Sequence, residues 1–197
     1  MRLKSTPAAL LLSLSLYARA ADLYDLDTGA TRVGFDVDRF GMRWVTAHFH
    51  DFRGDFVFDR HGGNSRVEVV IQTDSIDCGS SLWNPHLRSP EWLDTLQYPQ
   101  MVYRSRHIEF DGEDRAEASG DLTLHGVTHP IVLDVRDLRC PANIEGAATC
   151  RFTAHASVKR SDYGLPHGFW TGGDQVEITI TGVGTRGSHP LRESSLP

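Results

Sequence analysis

Apolar and polar residues alternate along most of the chain between residues 23 and 184, and this alternation restricts the fold more than any other feature. Val33, Phe35 and Val37, for example, alternate with polar residues or glycine. A period of two is typical of β-strands that bury one face. Comparable runs recur about eight times, separated by turn-forming residues and without strand–helix alternation. The sequence therefore predicts one all-β antiparallel domain, either a barrel or a sandwich.

The inward phase of this alternation changes within one long run, from Val45 to Phe58. Val45 and Phe49 share one phase, whereas Phe52 and Phe58 share the opposite phase. A bulge or bend near His50-Asp51 would return both halves to the same side of the sheet. Long bent strands curl a sheet into a barrel, so this run favours a barrel.

The alternation also predicts which side chains face the interior. Small residues among them, such as Ala154 and Ala156, leave volume that larger neighbours or a ligand must fill. Ordinary core packing is the alternative role for every one of these positions. The candidate lining residues are Phe35, Val37, Val45, Phe49, Val69, Ile71, Leu133, Val135, Phe152, Ala154, Ala156, Val176, Ile178 and Ile180.

One segment, from Ser75 to Gln100, lacks alternation and interrupts the series of strands. Within it, Ser89-Pro90 has the form of a helix N-cap followed by proline at the first helical position. The segment predicts one or two short helices, in an insertion over about residues 79–98.

The two ends of the chain differ from this domain. Two basic residues precede a short apolar stretch that ends in an Ala-x-Ala site, so residues 1–20 are predicted to be a signal peptide cleaved after Ala20. The stretch is shorter than the roughly 18–20 apolar residues that cross a bilayer. Residues 21–184 are expected to form an exported domain, and the polar residues 185–197 a disordered tail.

The charge balance excludes one class of partner. The chain has 20 Lys and Arg against 26 Asp and Glu, a net charge of −6. Loss of residues 1–20 removes three basic residues and no acidic residue, which leaves −9. An acidic chain without a basic run has no electrostatic footprint for nucleic acid, so no such partner is expected.

The three cysteines become informative in an exported chain, because an oxidising compartment permits disulfides. Cys140 and Cys150 flank a short segment between two strand-like runs, where a bridge would staple a hairpin loop. Cys78 remains as a free thiol, an intermolecular bridge or a reactive group.

Several short motifs follow one another in a defined order, and the series is more specific than any single member. They are Tyr24-Asp25-Leu26-Asp27, Val33-Gly34-Phe35-Asp36-Val37, Phe40-Gly41, Phe49-His50-Asp51-Phe52-Arg53-Gly54, Ser75-Ile76-Asp77, His86-Leu87-Arg88-Ser89-Pro90, Gly120-Asp121-Leu122-Thr123-Leu124-His125-Gly126-Val127-Thr128-His129-Pro130 and Arg160-Ser161-Asp162-Tyr163-Gly164-Leu165. In this order they resemble the YceI-like family of polyisoprenoid-binding proteins. The resemblance covers residues 23–184.

The resemblance implies an extended, eight-stranded, lipocalin-like antiparallel barrel in a secreted or periplasmic protein. It also implies a hydrophobic tunnel that binds a long isoprenoid chain, such as a quinone tail. The implied role is non-enzymatic binding, transport or storage, with no cofactor apart from the lipid. Transient contact with a membrane or a membrane redox protein would accompany that role. Arg88 and Arg160, each followed by serine, are candidates for a polar headgroup at the tunnel mouth or for anchoring loops.

A metal-binding stress protein is one alternative function. His48 and His50 at i, i+2, together with His125 and His129 across a predicted turn, could supply imidazole ligands. A solvated strand face explains the first pair, and a turn-stabilising hydrogen bond explains the second. No Cys/His cluster with zinc spacing is present in the sequence.

A hydrolase is the other alternative. Asp77, His86 and Ser89 could be drawn as a triad, although side chains so close in an inserted loop more often tie down that loop. The sequence has no Gly-x-Ser-x-Gly motif, no His-Glu-x-x-His motif and no glycine-rich phosphate loop. We therefore expect no catalytic residues.

Overall fold

The fold is taken from a computed structural model, which describes residues 22–39, 42–59, 63–140, 149–167 and 172–187. The predicted signal peptide and its cleavage site lie outside the described residues. The last strand runs to Arg186, and Gly187 N donates a hydrogen bond to Leu23 O at 2.9 Å. The strand thus continues two residues past the predicted domain end at 184, and residues 188–197 of the predicted tail lie outside the described part.

Eleven antiparallel strands make up most of the described chain, in agreement with the alternation. The strands are β1 Asp22–Leu26, β2 Arg32–Arg39, β3 Met42–Phe49, β4 Phe52–Phe58, β5 Arg66–Gln72, β6 Ile76–Asp77, β7 Gln100–Asp111, β8 Arg115–Leu124, β9 Val127–Arg139, β10 Thr149–Lys159 and β11 Gln175–Arg186. They form one sheet with the order β1-β4-β5-β7-β8-β9-β10-β11-β2-β3-β6.

The sheet closes because β11 also pairs with β1, with Tyr24 opposite Arg186. Three positions around the wall are each shared by two strands. β1 and β2 share the position beside β11, because both pair with β11. β3 and β4 share the next position, and their partners β6 and β5 share the position after it. The result is a closed barrel of eight strand positions. This settles the choice between barrel and sandwich that the alternation leaves open.

The predicted change of phase lies where two of these strands meet. β3 ends at Phe49 and β4 begins at Phe52, so His50 and Asp51 form the bend between them. Phe49 lies opposite Ile76, and Phe52 lies opposite Ile71. Both phenylalanines are buried in one core cluster, so the bend keeps the two halves facing the same interior, as the phase predicts.

The aperiodic segment contains one short α-helix, within the predicted insertion. A 3-10 helix spans Thr73–Ser75, a single α-helix, α1, spans Asn84–Arg88, and the rest is mostly turns. Ser89 ends α1 instead of beginning a helix, and its hydroxyl donates to His86 O at 2.7 Å. Pro85 occupies the first turn, where its missing N–H costs nothing, and Pro90 pushes Ser89 into extended backbone. Within the described residues, no helix is long and apolar enough to span a bilayer.

Two buried clusters mark the two ends of the barrel. β10 connects them, because Cys150 at its start belongs to one cluster and Val158 near its end belongs to the other. We call the first the disulfide end, which holds Tyr24, Phe56 and Cys150. We call the other the helical end, where residues 73–98 and a 3-10 helix over Arg160–Tyr163 cover the barrel.

Candidate functional site: the barrel interior

A cavity runs inside the barrel from one end to the other. Its empty space is about 1710 Å³, including the part open to solvent. Phe58, Phe110 and Leu138 line it at the disulfide end, and Trp92 and Tyr163 line it at the helical end. Closing an eight-stranded sheet leaves an interior wide enough for side chains or for one small ligand.

Several apolar residues that line this cavity are incompletely buried, although strand phase places their side chains on the inner face. Phe35, Ile178 and Ile180, for example, retain partial exposure. Protein interiors are normally packed as densely as organic crystals, so inward apolar surface that stays accessible signals unfilled space. An elongated, mainly apolar space of this kind suits an apolar ligand.

Most of the lining residues that strand phase predicts border the cavity. Twelve of the fourteen candidates border the cavity: Phe35, Val37, Phe49, Val69, Ile71, Leu133, Val135, Phe152, Ala154, Val176, Ile178 and Ile180. Val45 and Ala156 do not border it and pack within the surrounding core. Phase predicts which face a residue occupies, but not whether neighbouring side chains stand between it and the cavity.

Several lining residues lie outside that prediction. Trp92 and Leu93 come from the aperiodic insertion, which carries no periodic signal. Ile108 and Phe110 follow a bulge between Ser105 and His107, which shifts the phase along β7. The alternation of Ala116 and Ala118 on β8, which continues to Leu122 and Leu124, is a signal that could have added residues to the set.

Arg160 is the charged residue among the described lining residues, and it lies at the helical end. Its side chain is 3% exposed, and its guanidinium carbon lies 4.4 Å from the centroid of the Trp92 ring. Its Nη1 donates to Gly173 O at 3.4 Å. Burial lowers the pKa of Arg160 to about 10, against the opposing effect of Asp174. The side chain is still a cation at neutral pH.

Tyr163 lies three residues after Arg160 in the same 3-10 helix and also lines the cavity. The residue is 1% exposed, and its ring centroid lies 5.3 Å from that of His129. His129 faces inward because it lies opposite Leu122 in the sheet. Among the described residues, the Tyr163 hydroxyl has no hydrogen-bond partner. Burial, followed by the charge of Asp162, raises the pKa of Tyr163 to about 12, so the hydroxyl is protonated at neutral pH.

Arg88, the other predicted headgroup residue, does not reach the cavity. Its Nε donates to Asp74 O at 2.7 Å, and its Nη2 donates to Ile76 O at 2.8 Å. These bonds fasten α1 to the strand that precedes it. Arg88 therefore anchors a loop, which is the other role that the sequence left open.

Aromatic rings fill the disulfide end. Tyr24 stacks on Phe56 at 5.1 Å, Phe56 meets the edge of Phe152 at 5.7 Å, and Phe58 meets Phe110 at 5.4 Å. The predicted disulfide between Cys140 and Cys150 is present beside this cluster. The end is therefore closed by ring packing and a covalent link.

Two glycines of β11 make room for these rings. A Cβ on Gly182 would lie 2.2 Å from Phe152 Cζ, and one on Gly184 would lie 2.5 Å from Phe56 Cε1. Both distances are far below van der Waals contact. Any other residue at these positions would displace the rings from the barrel wall.

The histidines proposed as metal ligands lie in different surroundings. His48 and His50 are exposed, and His50 Nε2 lies 3.6 Å from Asp77 Oδ2. His125 packs on the Tyr98 ring at 4.2 Å, whereas His129 faces the barrel interior. In the part of the chain that the structure describes, no three His, Cys, Asp or Glu side chains form a group that could hold a metal ion.

The three residues that could be drawn as a triad form no proton relay. Ser89 Oγ donates to the backbone carbonyl of His86, and His86 Nε2 accepts a hydrogen bond from Trp92 Nε1 at 2.9 Å. Hydrogen bonds from Asn84 and from Gly79 N lower the pKa of Asp77. All of these contacts hold the insertion in place.

Cys78 forms no disulfide in this structure and is half-buried. Its thiol donates to Asn84 Oδ1 at 3.2 Å, and its backbone N–H donates to the same oxygen at 2.9 Å. The residue therefore contributes to the same loop network as Asp77.

The barrel resembles proteins of known structure. BcnA of Burkholderia cenocepacia superposes with a TM-score of 0.70 at 23% identity, covering 80% of this chain and 98% of that one. A polyisoprenoid binding domain from Saccharophagus degradans superposes with a TM-score of 0.59 at 18% identity, covering 83% of this chain and 98% of that one. These likenesses establish a shared fold.

Sequence comparison extends the likeness beyond the fold. A UPF0312 protein from Vibrio parahaemolyticus is 30% identical over 182 residues, which cover 91% of this chain and 96% of that protein. The profile of the YceI-like domain matches residues 24–183, from the first strand of the barrel to the last. With its eight-position barrel and its ordered series of motifs, the chain belongs to the YceI-like family.

Proposed function

We propose that the protein binds one long-chain lipid of the isoprenoid or quinone type inside the barrel, and stores or transports it without chemical conversion. The observation that carries the proposal is the cavity, whose lining is apolar along nearly the whole barrel and several of whose inward side chains remain partly accessible. Each methylene group that leaves water for such a lining contributes about 0.8 kcal/mol before the costs of association.

The shape of the cavity favours a chain over a compact ligand. The lining residues of β10 extend from Phe152 to Val158, and those of β7 from Met101 to Phe110. A strand advances about 3.3 Å per residue, so the lined length of β7 is on the order of 30 Å. The name of the Saccharophagus degradans domain gives polyisoprenoid as the ligand of that protein, which supports the same class here.

We also infer that the protein acts in the periplasm. The Cys140–Cys150 disulfide supports this location, because stable disulfides form in oxidising compartments. The predicted signal peptide would deliver the chain there. Loading and release would require transient contact with a membrane or a membrane redox protein.

Adjacent residues of β9 provide a matched test. Ile131 lines the cavity, whereas Val132 faces outward and is 50% exposed. Ile131→Trp would fill the lipid space, and Val132→Trp would add comparable bulk to the outer surface. We expect Ile131→Trp to weaken uptake of a long-chain quinone about tenfold, since overfilling a packed space costs about 1–3 kcal/mol. Val132→Trp should bind as the wild type does.

The measurement is native mass spectrometry of protein purified with cellular lipids, followed by titration of delipidated protein with quinone. Thermal unfolding of both variants shows whether each is folded. The proposal requires a co-purifying isoprenoid lipid or quinone uptake by the wild type. A barrel that is consistently empty and takes up no quinone would overturn it, as would equal uptake by the two variants.

A further inference from the structure

We propose that the helical end binds an oxygen-bearing headgroup of the lipid, with the Tyr163 hydroxyl and the Arg160 guanidinium as donors, while the apolar tail extends toward the disulfide end. This inference rests on the proposed function, because it assigns the chemistry and orientation of the ligand in the same cavity. The headgroup must present an oxygen acceptor, such as a carbonyl, a hydroxyl or a phosphate.

The Tyr163 hydroxyl is the first reason. It is a buried donor at the wall of the cavity, and the described residues offer it no acceptor. Leaving a buried polar group unpaired is costly, and nearly all such groups in native proteins have a partner. Tyr103, which also lines the cavity, shows the usual arrangement, since its hydroxyl donates to Ala118 O at 2.7 Å. Tyr163 therefore needs a partner that a ligand oxygen could provide.

The charge of Arg160 is the second reason. A guanidinium that is 3% exposed and lines an apolar cavity attracts an acceptor strongly, because few water molecules screen it. The nearby Asp174 carboxylate accepts hydrogen bonds from the Ser161 backbone N–H and hydroxyl at 2.8 and 2.9 Å. Charge-assisted hydrogen bonds are about twice as strong as neutral ones, so an anionic or strongly polarised oxygen fits best.

Aromatic walls surround these two donors. The Trp92 ring lies against the Arg160 guanidinium, and the His129 ring lies against Tyr163. Trp92 Nε1 is already engaged with His86 Nε2, which holds the indole in place. Rigid donors lose less conformational entropy when a ligand binds, so this arrangement favours binding in a defined pose.

The disulfide end supplies no comparable donor to the cavity. Of the described lining residues there, Ser65 is polar, and its hydroxyl accepts a hydrogen bond from Asp59 N at 2.9 Å. Tyr24 is 0% exposed and its hydroxyl also has no partner among the described residues, but Tyr24 does not line the cavity. A headgroup therefore finds polar donors at the helical end, and Tyr24 provides a control residue.

The test compares three ligands with the same twenty-carbon isoprenoid chain: geranylgeranyl phosphate, geranylgeraniol and the corresponding hydrocarbon without a headgroup. Tyr163→Phe removes one hydroxyl and keeps the ring. We expect it to weaken binding of the two oxygen-bearing ligands about fivefold to tenfold, the usual effect of one hydrogen bond, and to leave the hydrocarbon unaffected. Tyr24→Phe should change none of the three affinities.

Arg160→Gln distinguishes the two kinds of oxygen. It should weaken binding of the phosphate more than binding of the alcohol, because only the phosphate carries a full negative charge. If Arg160→Gln weakens binding of the phosphate and of the alcohol equally, the headgroup that this site prefers is a neutral oxygen acceptor. Because Arg160 also bonds to Gly173 O, its substitution affects packing as well as the headgroup site, so Tyr163→Phe carries the test of the proposal.

The outcomes separate this inference from the proposed function. If wild-type protein binds the hydrocarbon as tightly as the other ligands and Tyr163→Phe changes none of the three affinities, the cavity binds lipid but the assignment of the headgroup site is wrong. Equal weakening of all three ligands would show that Tyr163 acts only in packing. Failure of the wild type to bind any of them would overturn the proposed function itself. Intermolecular NOEs from protons next to the headgroup to Phe58, instead of Trp92, would show that the lipid lies in the opposite orientation.

Discussion

The two ends of the barrel are closed by different chemistry. The helical end is covered by a polypeptide insertion and buries a cation and a tyrosine hydroxyl at the cavity wall. The disulfide end is packed with stacked aromatic rings over two glycines and is fixed by Cys140–Cys150. One end therefore favours a polar group, while the other offers mainly apolar contact, with Ser65 as its polar lining residue among those described.

This difference gives the cavity a direction. An apolar tube with equal ends would bind a lipid chain in either orientation. Buried donors at one end make the two orientations unequal in energy, because a polar oxygen left among aromatic rings would lose its hydrogen bonds with water. The barrel wall thus provides affinity for a chain, and the ends determine which way that chain lies.

The largest effect is expected from Trp92→Ala at the helical end. Trp92 is 4% exposed, packs on Arg160 and donates to His86, so its loss leaves a cavity and frees the insertion. We expect the free energy of unfolding to fall by about 3–5 kcal/mol, measured by urea denaturation. Leu96→Ala in the same insertion, at a side chain that is 96% exposed, should change it by less than about 0.5 kcal/mol. Similar effects of both substitutions would mean that the insertion does not close the barrel.

A smaller effect is expected from opening the disulfide at the other end. The bridge closes a loop with a sequence separation of 10, so reducing it should lower the free energy of unfolding by about 2–3 kcal/mol through loop entropy. Denaturation of the wild type with and without reductant measures this without a substitution. Cys78→Ser serves as the control for thiol chemistry, since Cys78 is outside the bridge. Reduction should lower the stability of Cys78→Ser as much as that of the wild type, and a loss in the wild type that Cys78→Ser does not show would contradict the assignment.

The smallest expected effect is a pH dependence of stability that comes from Tyr163 at the helical end. The pKa of Tyr163 is about 12 in the folded protein and about 10 in the unfolded chain, so above pH 10 the unfolded state releases its proton first. Stability from this group is complete below pH 10 and is lost as pH rises to 12, by about 1–2 kcal/mol.

Denaturation of the wild type and of Tyr163→Phe from pH 9 to pH 12 tests this dependence. The wild type should lose stability more steeply across that window. Tyr103, whose pKa burial also raises, and Arg160 are present in both proteins and cancel in the comparison. Parallel pH curves would show that the Tyr163 hydroxyl is not held in a dry environment.

The sequence predicts the wall of the barrel far better than its ends. Strand phase depends only on local alternation, so it locates the inward residues and even the bend at His50-Asp51. It fails at bulges, such as the one in β9, where Asp137 adopts a positive φ of 51° and Leu138 becomes buried. One extra residue shifts every side chain after it to the other face.

The ends depend on tertiary contacts that no local pattern records. Arg88 and Arg160 are both followed by serine, yet one ties down a loop and the other lines the cavity. Trp92 lies in a segment without periodicity, and its role follows only from where the insertion folds back. Gly182 also gives no hint in sequence that it makes room for Phe152.

The position of β11 has a consequence for how the chain is made. β11 lies between β10 on one side and both β1 and β2 on the other, and it ends at Arg186 opposite Tyr24. Until β11 has been synthesised, the growing chain can form only an open sheet with unpaired edges, which invite association with other chains. Pairings between residues so distant in sequence also form slowly. The barrel can therefore close only once β11 has been synthesised, and the nascent chain needs protection until that strand is available.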